Sequence, residues 1–187
     1  MSIIGYCGYT AFIDNRRMRT ALSQDLDIVP SPASSNTDFD FLHGVWKIRN
    51  RKLKERLKGS EEWIEFEAGQ KCKGILENNA NIDFFRTSFD GDNFEAITIR
   101  LFDPKTRLWS IYWADSKAVI LDIGQVGSFD GTTGEFFARD VWEGTPIIVK
   151  FHWDKTNADE PVWSQAFSVD EGKTWEWNWY MYFERES

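Results

Sequence analysis

Six polar or charged residues interrupt stretches of this sequence that are otherwise apolar and aromatic. They are Arg86, Arg100, Asp140, Gln165, Glu176 and Asn178. A polar group in apolar surroundings costs free energy unless it is hydrogen-bonded or paired. Two interpretations stay open. The six residues form strand-pair salt bridges or a polar plug, or they orient a ligand inside an aromatic cavity.

Two of these residues are carboxylic acids, which are suited to acid–base chemistry. In an enzyme, Asp140 or Glu176 would move a proton and Arg100 would stabilise a developing anion. The sequence contains no nucleophile elbow, no P-loop and no dinucleotide-binding fingerprint. The catalytic residues are therefore unknown, and a non-enzymatic binding protein is the favoured interpretation.

His43 and His152 are the only histidines in the chain. Together with Cys7 and Cys72 they form no cluster at zinc spacing, so we predict no metal site. Haem would need a histidine that points into the fold as an axial ligand. His152 alternates with Lys150, which predicts an outward or mouth position, so no haem or other cofactor is expected. His152 is kept as a second-tier site residue beside Asp140 and Glu176.

A basic segment covers residues 47–58. Its seven Lys and Arg residues against one acid give a local charge of +6 and leave −14 for the rest of a chain whose total is −8. It could be a solvated strand whose long side chains cover apolar surface. Alternatively, it forms a positive mouth that attracts an anionic ligand. Alternation from Trp46 predicts that Lys52 and Lys54 share the Trp46 face.

Composition and charge exclude several classes of protein. The chain has 187 residues and carries 10 Trp, 15 Phe and 5 Tyr. A net charge of −8 disfavours a nucleic-acid partner. No apolar run approaches the ~20 residues of a membrane span, so no membrane partner is predicted. Two cysteines make no disulfide framework, which indicates a reduced, cytoplasmic protein.

The elements that must position these side chains are strands. After Phe39, runs rich in β-branched and aromatic residues alternate with turn signals such as Asp130-Gly131 and Glu143-Gly144. The predicted strands are 45–53, 62–76, 81–89, 94–102, 108–113, 119–129, 135–142, 147–153, 162–169 and 175–184. Short connections without helical crossovers predict an all-β, roughly ten-stranded, antiparallel up-and-down barrel.

Alternation within the last predicted strand separates two faces. One face holds Trp175, Trp177, Trp179, Met181 and Phe183, and the other holds Glu176, Asn178, Tyr180, Tyr182 and Glu184. Which face lines the barrel stays open.

Residues 1–38 differ from the rest and are predicted to be an N-terminal extension. They end in a linker-like segment, 30–36, and residues 15–26 could form a short helix or a flexible arm. The barrel domain is predicted to cover residues 39–187.

The segment Ser168-x-Asp170-x-Gly172-x-Thr174-Trp175 is similar to the Asp-box of sialidase propellers. A propeller would show several copies and this chain has one. We therefore expect a structural turn in which Asp170 bonds to turn amides.

The region after residue 38 resembles the calycin superfamily. Gly44-Val45-Trp46 opens the first strand as the Gly-x-Trp motif does in lipocalins, and Arg185 is placed to lie over the indole. The resemblance implies a barrel closed at one end by Trp46 and Arg185. A narrower resemblance is to an uncharacterised, lipocalin-like DUF1579-type family of bacterial proteins. It rests on 39–57, 100–104, 109–113, 163–168 and 172–179, and it implies a fold but almost no chemistry.

The leading hypothesis is a binding protein for a small apolar or amphipathic molecule, with anionic molecules among the candidates. Arg86, Arg100, Gln165 and Asn178 would orient the ligand, and Trp113 and Tyr180 would stack on it. One alternative is a barrel enzyme that acts on a lipid-like or aromatic substrate with a buried carboxylate. Another is a homodimeric scaffold whose exposed aromatic residues form the interface.

Overall fold

Ten antiparallel strands close into one barrel in the computed structural model, which describes residues 26–89 and 92–186. Each strand pairs with its sequence neighbour, and β10 pairs with β1 to close the barrel. The predicted up-and-down calycin-like barrel is therefore confirmed. The strands are β1 (Gly44–Leu53), β2 (Trp63–Ile75), β3 (Ala80–Phe89), β4 (Asp92–Asp103), β5 (Leu108–Asp115), β6 (Gln125–Asp130), β7 (Thr133–Trp142), β8 (Thr145–Asp154), β9 (Val162–Ser168) and β10 (Glu176–Arg185).

Tight turns explain why neighbouring strands pair. Between β7 and β8, both Glu143 (φ 47°) and Gly144 (φ 83°) have positive φ angles. Positive φ at two successive positions is typical of type I′ turns, whose twist matches that of the strands. The turn between β9 and β10 is held by side chains. Asp170 accepts hydrogen bonds from the Thr174 amide and hydroxyl at 2.9 and 2.7 Å.

The predicted strand 119–129 is shorter in the structure. β6 begins at Gln125, and Ile120 and Leu121 are exposed in a loop. Val119 has a φ of 53° and its amide bonds to the Asp115 carbonyl, which turns the chain away from β5. An apolar run without a neighbouring strand to pair with does not form a strand, and this explains the difference.

One end of the barrel is closed by an aromatic plug. A single 3₁₀ turn, Asp40–Leu42, precedes β1, and the ring of Phe39 next to it is buried against Trp109 and Phe129 at centroid distances of 4.9 and 5.0 Å. The Arg185 guanidinium lies 4.2 Å from the centroid of the Trp46 ring. It also donates to the Phe41 and His43 carbonyls at 2.7 and 2.9 Å, so it ties the plug to the last strand.

The alternation predicted for the last strand holds from Trp179 onward but is wrong before it, because β10 contains a bulge. The pairing with β9 shifts register between Trp177 and Trp179. Trp177 lies on the outer face, 6.0 Å from the His152 ring, whereas Trp179 lies inside against Trp163 at 5.5 Å. Asn178, the extra residue, is fully buried. A bulge places two residues opposite one and changes which side chains point inward.

Residues 26–38 are the described part of the predicted extension; 26–32 lie against the outside of the barrel, whereas Ser34 and Asp38 are buried at its closed end. The Ser31 amide donates to Ser128 Oγ at 3.0 Å, and Trp109 Nε1 donates to Asp38 Oδ2 at 3.1 Å. The predicted helix 15–26 lies outside the described residues except for its last position. In the ranges 26–89 and 92–186, no helix has the length and apolar character needed to cross a membrane.

Candidate functional site

The barrel interior contains a cavity of about 320 Å³ above the plug. Eight of its lining side chains are aromatic. They are Trp113, Trp142, Phe151, Trp153, Trp163, Phe167, Trp179 and Phe183. Trp163 packs edge-on against both Trp179 at 5.5 Å and Phe151 at 5.0 Å. Such mutual packing keeps large apolar surfaces in fixed positions, which suits the binding of a ligand's apolar body.

Two cations from the basic segment reach the open end of this cavity. Lys52 Nζ lies 4.3 Å from the centroid of Trp179, and the Arg56 guanidinium lies 4.9 Å from that of Trp142. Burial and the nearby charge of Arg56 together lower the pKa of Lys52 to about 8, and Asp115 partly offsets the effect. Burial also lowers the pKa of Arg56 to about 10, against the effect of Glu176.

Carboxylates surround the same opening. Asp115, Asp122 and Asp140 all line the cavity. Burial raises the pKa of Asp122, and the nearby Asp140 and Asp115 charges raise it further. Glu176 accepts two hydrogen bonds from the Leu57 amide, at 2.8 and 2.9 Å. The mouth therefore carries charges of both signs.

A buried ion pair lies at the closed end, next to the plug. Arg100 Nη1 donates to Asp83 Oδ2 at 2.6 Å and to Asn81 Oδ1 at 2.9 Å. The two paired side chains are 5% and 0% exposed. The Arg100 guanidinium lies 5.1 Å from the centroid of Phe39, which places it on the floor of the cavity.

Several buried polar atoms of the cavity lining have no hydrogen-bond partner among the described residues. At the mouth they are Arg56 Nη2 and Trp142 Nε1. Deeper in the barrel they are Gln70 Nε2, Arg100 Nε and Gln125 Oε1. Most buried polar groups in native proteins are bonded to protein or to ordered water, so these atoms are available for hydrogen bonds to a molecule inside the cavity.

The structure brings four of the predicted site residues together in the cavity. Arg100, Trp113, Gln165 and the second-tier Asp140 all line it. Asn178 is buried immediately behind the wall, where its Oδ1 accepts from Gln165 Nε2 at 2.9 Å. The plug pair Trp46 and Arg185 is stacked as described above.

Four other predicted site residues do not line the cavity. Arg86 is exposed on the outer face and bonds to Glu95 at 3.0 Å. Tyr180 is also on the outer face, stacked on Trp177 and Tyr182. His152 lies on that face too, 3.7 Å from Glu135, and Glu176 caps the turn after β1 through the Leu57 amide. Neither histidine lines the cavity.

The predicted site residues did not include Arg56, Gln70 or Gln125, although Arg56 belongs to the basic segment for which a positive mouth was one interpretation. The alternation of Gln70 with Ala68 and Cys72 in β2 was a usable signal, since all three are buried. Lys54, predicted to share the Trp46 face with Lys52, instead bonds to Glu62 outside because β1 ends at Leu53. The described part of the chain has no group of three or more His, Cys, Asp or Glu residues arranged to bind a metal ion.

Comparisons with known proteins bear on the fold. No protein-family model matches the sequence, and no curated protein matches it. Among solved structures, the barrel is similar to the S-type phycobiliprotein lyase CPES from Guillardia theta. The TM-score is 0.55 at 9% identity, covering 83% of this chain and 94% of that chain. This likeness supports the calycin-like fold. Membership of the DUF1579-type family stays a prediction.

Proposed function

We propose that this protein binds one small amphipathic molecule inside the barrel. The apolar body lies between Trp113, Trp163 and Trp179, and a hydrogen-bond-accepting end such as a carboxylate lies at the mouth against Arg56 and Trp142. The cavity volume, about 320 Å³, is at the small end of the range of about 300–1,000 Å³ typical of ligand pockets. The ligand is therefore smaller than most drug-sized molecules.

The observation that carries this proposal is the pair of unpartnered donors at the mouth. Arg56 Nη2 and Trp142 Nε1 are both buried, and neither has a partner among the described residues. A buried donor left unbonded costs about 1–3 kcal/mol. One acceptor group placed between them would remove both costs, whereas a ligand with only donors would not.

The charges at the mouth favour a ligand group that accepts hydrogen bonds over a group that binds mainly through a strong negative charge. Glu176 interacts with Arg56 and Asp115 interacts with Lys52, so the two cations are partly compensated. Hydrogen-bond acceptance, and not net attraction, is thus the main requirement at the mouth. A primary amine there would add donors opposite two donors that already lack an acceptor, so it should bind worst.

The fold supports the same proposal. Barrels of about eight strands can hold one small ligand among their interior side chains. The structural neighbour is a lyase for phycobiliproteins by its name, and its barrel covers most of this chain.

The test compares ligands that differ only at the polar end. Decanoic acid, decanol and decylamine are titrated against the protein, and binding is followed by tryptophan fluorescence and calorimetry. We expect the acid to bind best and the amine worst. Trp142→Phe keeps an aromatic ring at this position and removes the indole N–H donor, so it should weaken decanoate binding by about five- to thirtyfold.

The matched control is Trp177→Phe, which makes the same change on the outer face. It should leave decanoate affinity unchanged. Equal affinity of all three ligands, or an equal loss in both variants, would contradict the proposed binding mode.

A further inference from the structure

The floor of the cavity contains a second set of unpartnered polar atoms, separate from those at the mouth. Gln70, Arg100 and Gln125 are 6%, 4% and 5% exposed, and all three line the cavity. Gln70 Nε2 and Arg100 Nε are donors without partners among the described residues, and Gln125 Oε1 is an acceptor without one.

The strand register explains why these side chains converge. Arg100 on β4 pairs with Ile111 on β5, and Ile111 pairs with Gln125 on β6. These three residues therefore lie in one row across neighbouring strands, and all are buried. Gln70 lies on β2, two strands from β4 on the side away from β6, and it pairs with the plug residue Trp46.

The floor is electrically neutral. The charge of Arg100 is already paired with Asp83 at 2.6 Å, and both side chains are almost fully buried. A second carboxylate at this depth would lose its hydration and find no free counter-charge, which is strongly unfavourable. A neutral group that both accepts and donates hydrogen bonds would meet all three unpartnered atoms without that cost.

We propose that the ligand has two polar ends, and that a neutral hydroxyl or carboxamide group at its inner end binds Gln70, Arg100 and Gln125 on the cavity floor. This inference rests on the proposed function and narrows the ligand class to elongated molecules with an acceptor at one end, an apolar middle and a neutral polar group at the other. The mixed set of donors and acceptors distinguishes the floor from the mouth, where the unpartnered atoms are donors.

The experiment compares three ligands of equal chain length: decanoic acid, ω-hydroxydecanoic acid and decanedioic acid. Octanoic and dodecanoic counterparts are measured alongside to match the depth of the cavity. In the wild-type protein, the hydroxy acid should bind about tenfold more tightly than the simple acid of the same length, as expected for one or two added hydrogen bonds in a buried site. The diacid should bind no better than the simple acid.

Gln70→Leu and Gln125→Leu test the assignment to the floor. In each variant the hydroxy acid should lose most of its affinity advantage over the simple acid, with both ligands measured in the same variant. Lys71→Leu is the matched control, because Lys71 is the exposed neighbour of Gln70 on the outer face of β2. It should keep the full advantage. Thermal unfolding of each variant checks that the barrel remains folded.

The two proposals fail differently. If the simple acid binds but the hydroxy acid gains nothing, the polar floor site is refuted and the proposed function stands. An advantage that survives both glutamine variants, or a diacid that equals the hydroxy acid, also refutes the floor site. If none of the acids binds at any length, both proposals are refuted.

Discussion

Replacing Lys52 by Met should stabilise the folded barrel at neutral pH. The Lys52 ammonium lies over the Trp179 ring at 4.3 Å, half-buried in an aromatic wall. Burial, together with the nearby Arg56 charge, lowers the pKa of Lys52 from its ordinary 10.5 to about 8. Methionine has a similar length and no charge, so it can occupy the same space without the cost of desolvation.

The magnitude follows from the shift in pKa. Each unit corresponds to about 1.4 kcal/mol, so a drop from 10.5 to about 8 corresponds to about 3 kcal/mol against folding while the amine is charged. Partial exposure reduces this figure, and we expect a gain of about 1–3 kcal/mol for Lys52→Met.

The pH dependence has a definite sign. The unfolded chain keeps the Lys52 proton up to about pH 10.5, whereas the folded chain releases it from about pH 8. The unfolded state therefore binds more protons between these values, and wild-type stability rises relative to the variant across that window. Below about pH 8 the advantage of Lys52→Met should be constant.

The assay is urea unfolding followed by tryptophan fluorescence, at neutral pH and near pH 10. The midpoint should be higher for Lys52→Met at neutral pH, and the difference should shrink by more than half near pH 10. Lys54→Met is the matched control, because Lys54 is exposed and bonds to Glu62 at 2.9 Å. It should change stability little. A variant less stable than wild type at neutral pH, or a difference independent of pH, would refute this reasoning.

Three further predictions concern the stability of the folded barrel. Arg185→Met should lower the free energy of unfolding, measured in urea titrations, by about 2–5 kcal/mol. The substitution removes hydrogen bonds to the Phe41 and His43 carbonyls and the cation–π contact with Trp46. Arg185→Lys should recover part of the loss. Gly127→Ala should prevent folding or lower the melting temperature severely, because the added Cβ would clash with the Glu135 carbonyl oxygen. Gly69→Ala is the comparison, because its φ is not positive and its added Cβ would lie 4.0 Å from the Trp46 carbonyl oxygen. Hydrogen bonds from Thr174 lower the pKa of Asp170 to about 2. The free energy of unfolding should therefore decrease as pH falls from about 4 towards 2. In Asp170→Asn, a plot of this free energy against pH should be flatter over the same range.

The barrel itself could be predicted from local signals. Turns such as Glu143-Gly144 restrict the backbone wherever they occur, and alternation in β8 places Val149, Phe151 and Trp153 on one face by geometry alone. Because the connections are short, each strand pairs with the next strand along the chain. Where a local signal lacked a partner strand, as in residues 119–124, the prediction was wrong.

The membership of the candidate site was only partly predictable. Arg100, Trp113 and Gln165 could be selected from the sequence because they are polar or aromatic residues within strands, and all three line the cavity. Arg86 met the same criterion but lies on the outer face. Sequence alternation gives two faces and does not say which of them is enclosed.

The amino-acid sequence by itself determined the strand number, the antiparallel order and the aromatic character of the barrel, because turns and alternation act within about ten residues of chain. Only the tertiary structure decided which polar atoms share the interior. The bulge at Asn178 shifts the register of β10, and closure of β10 onto β1 brings together side chains more than a hundred residues apart, such as Asn50 and Trp179. Donors without a partner can be identified only in the closed barrel, because whether a polar atom is hydrogen-bonded depends on all the atoms around it.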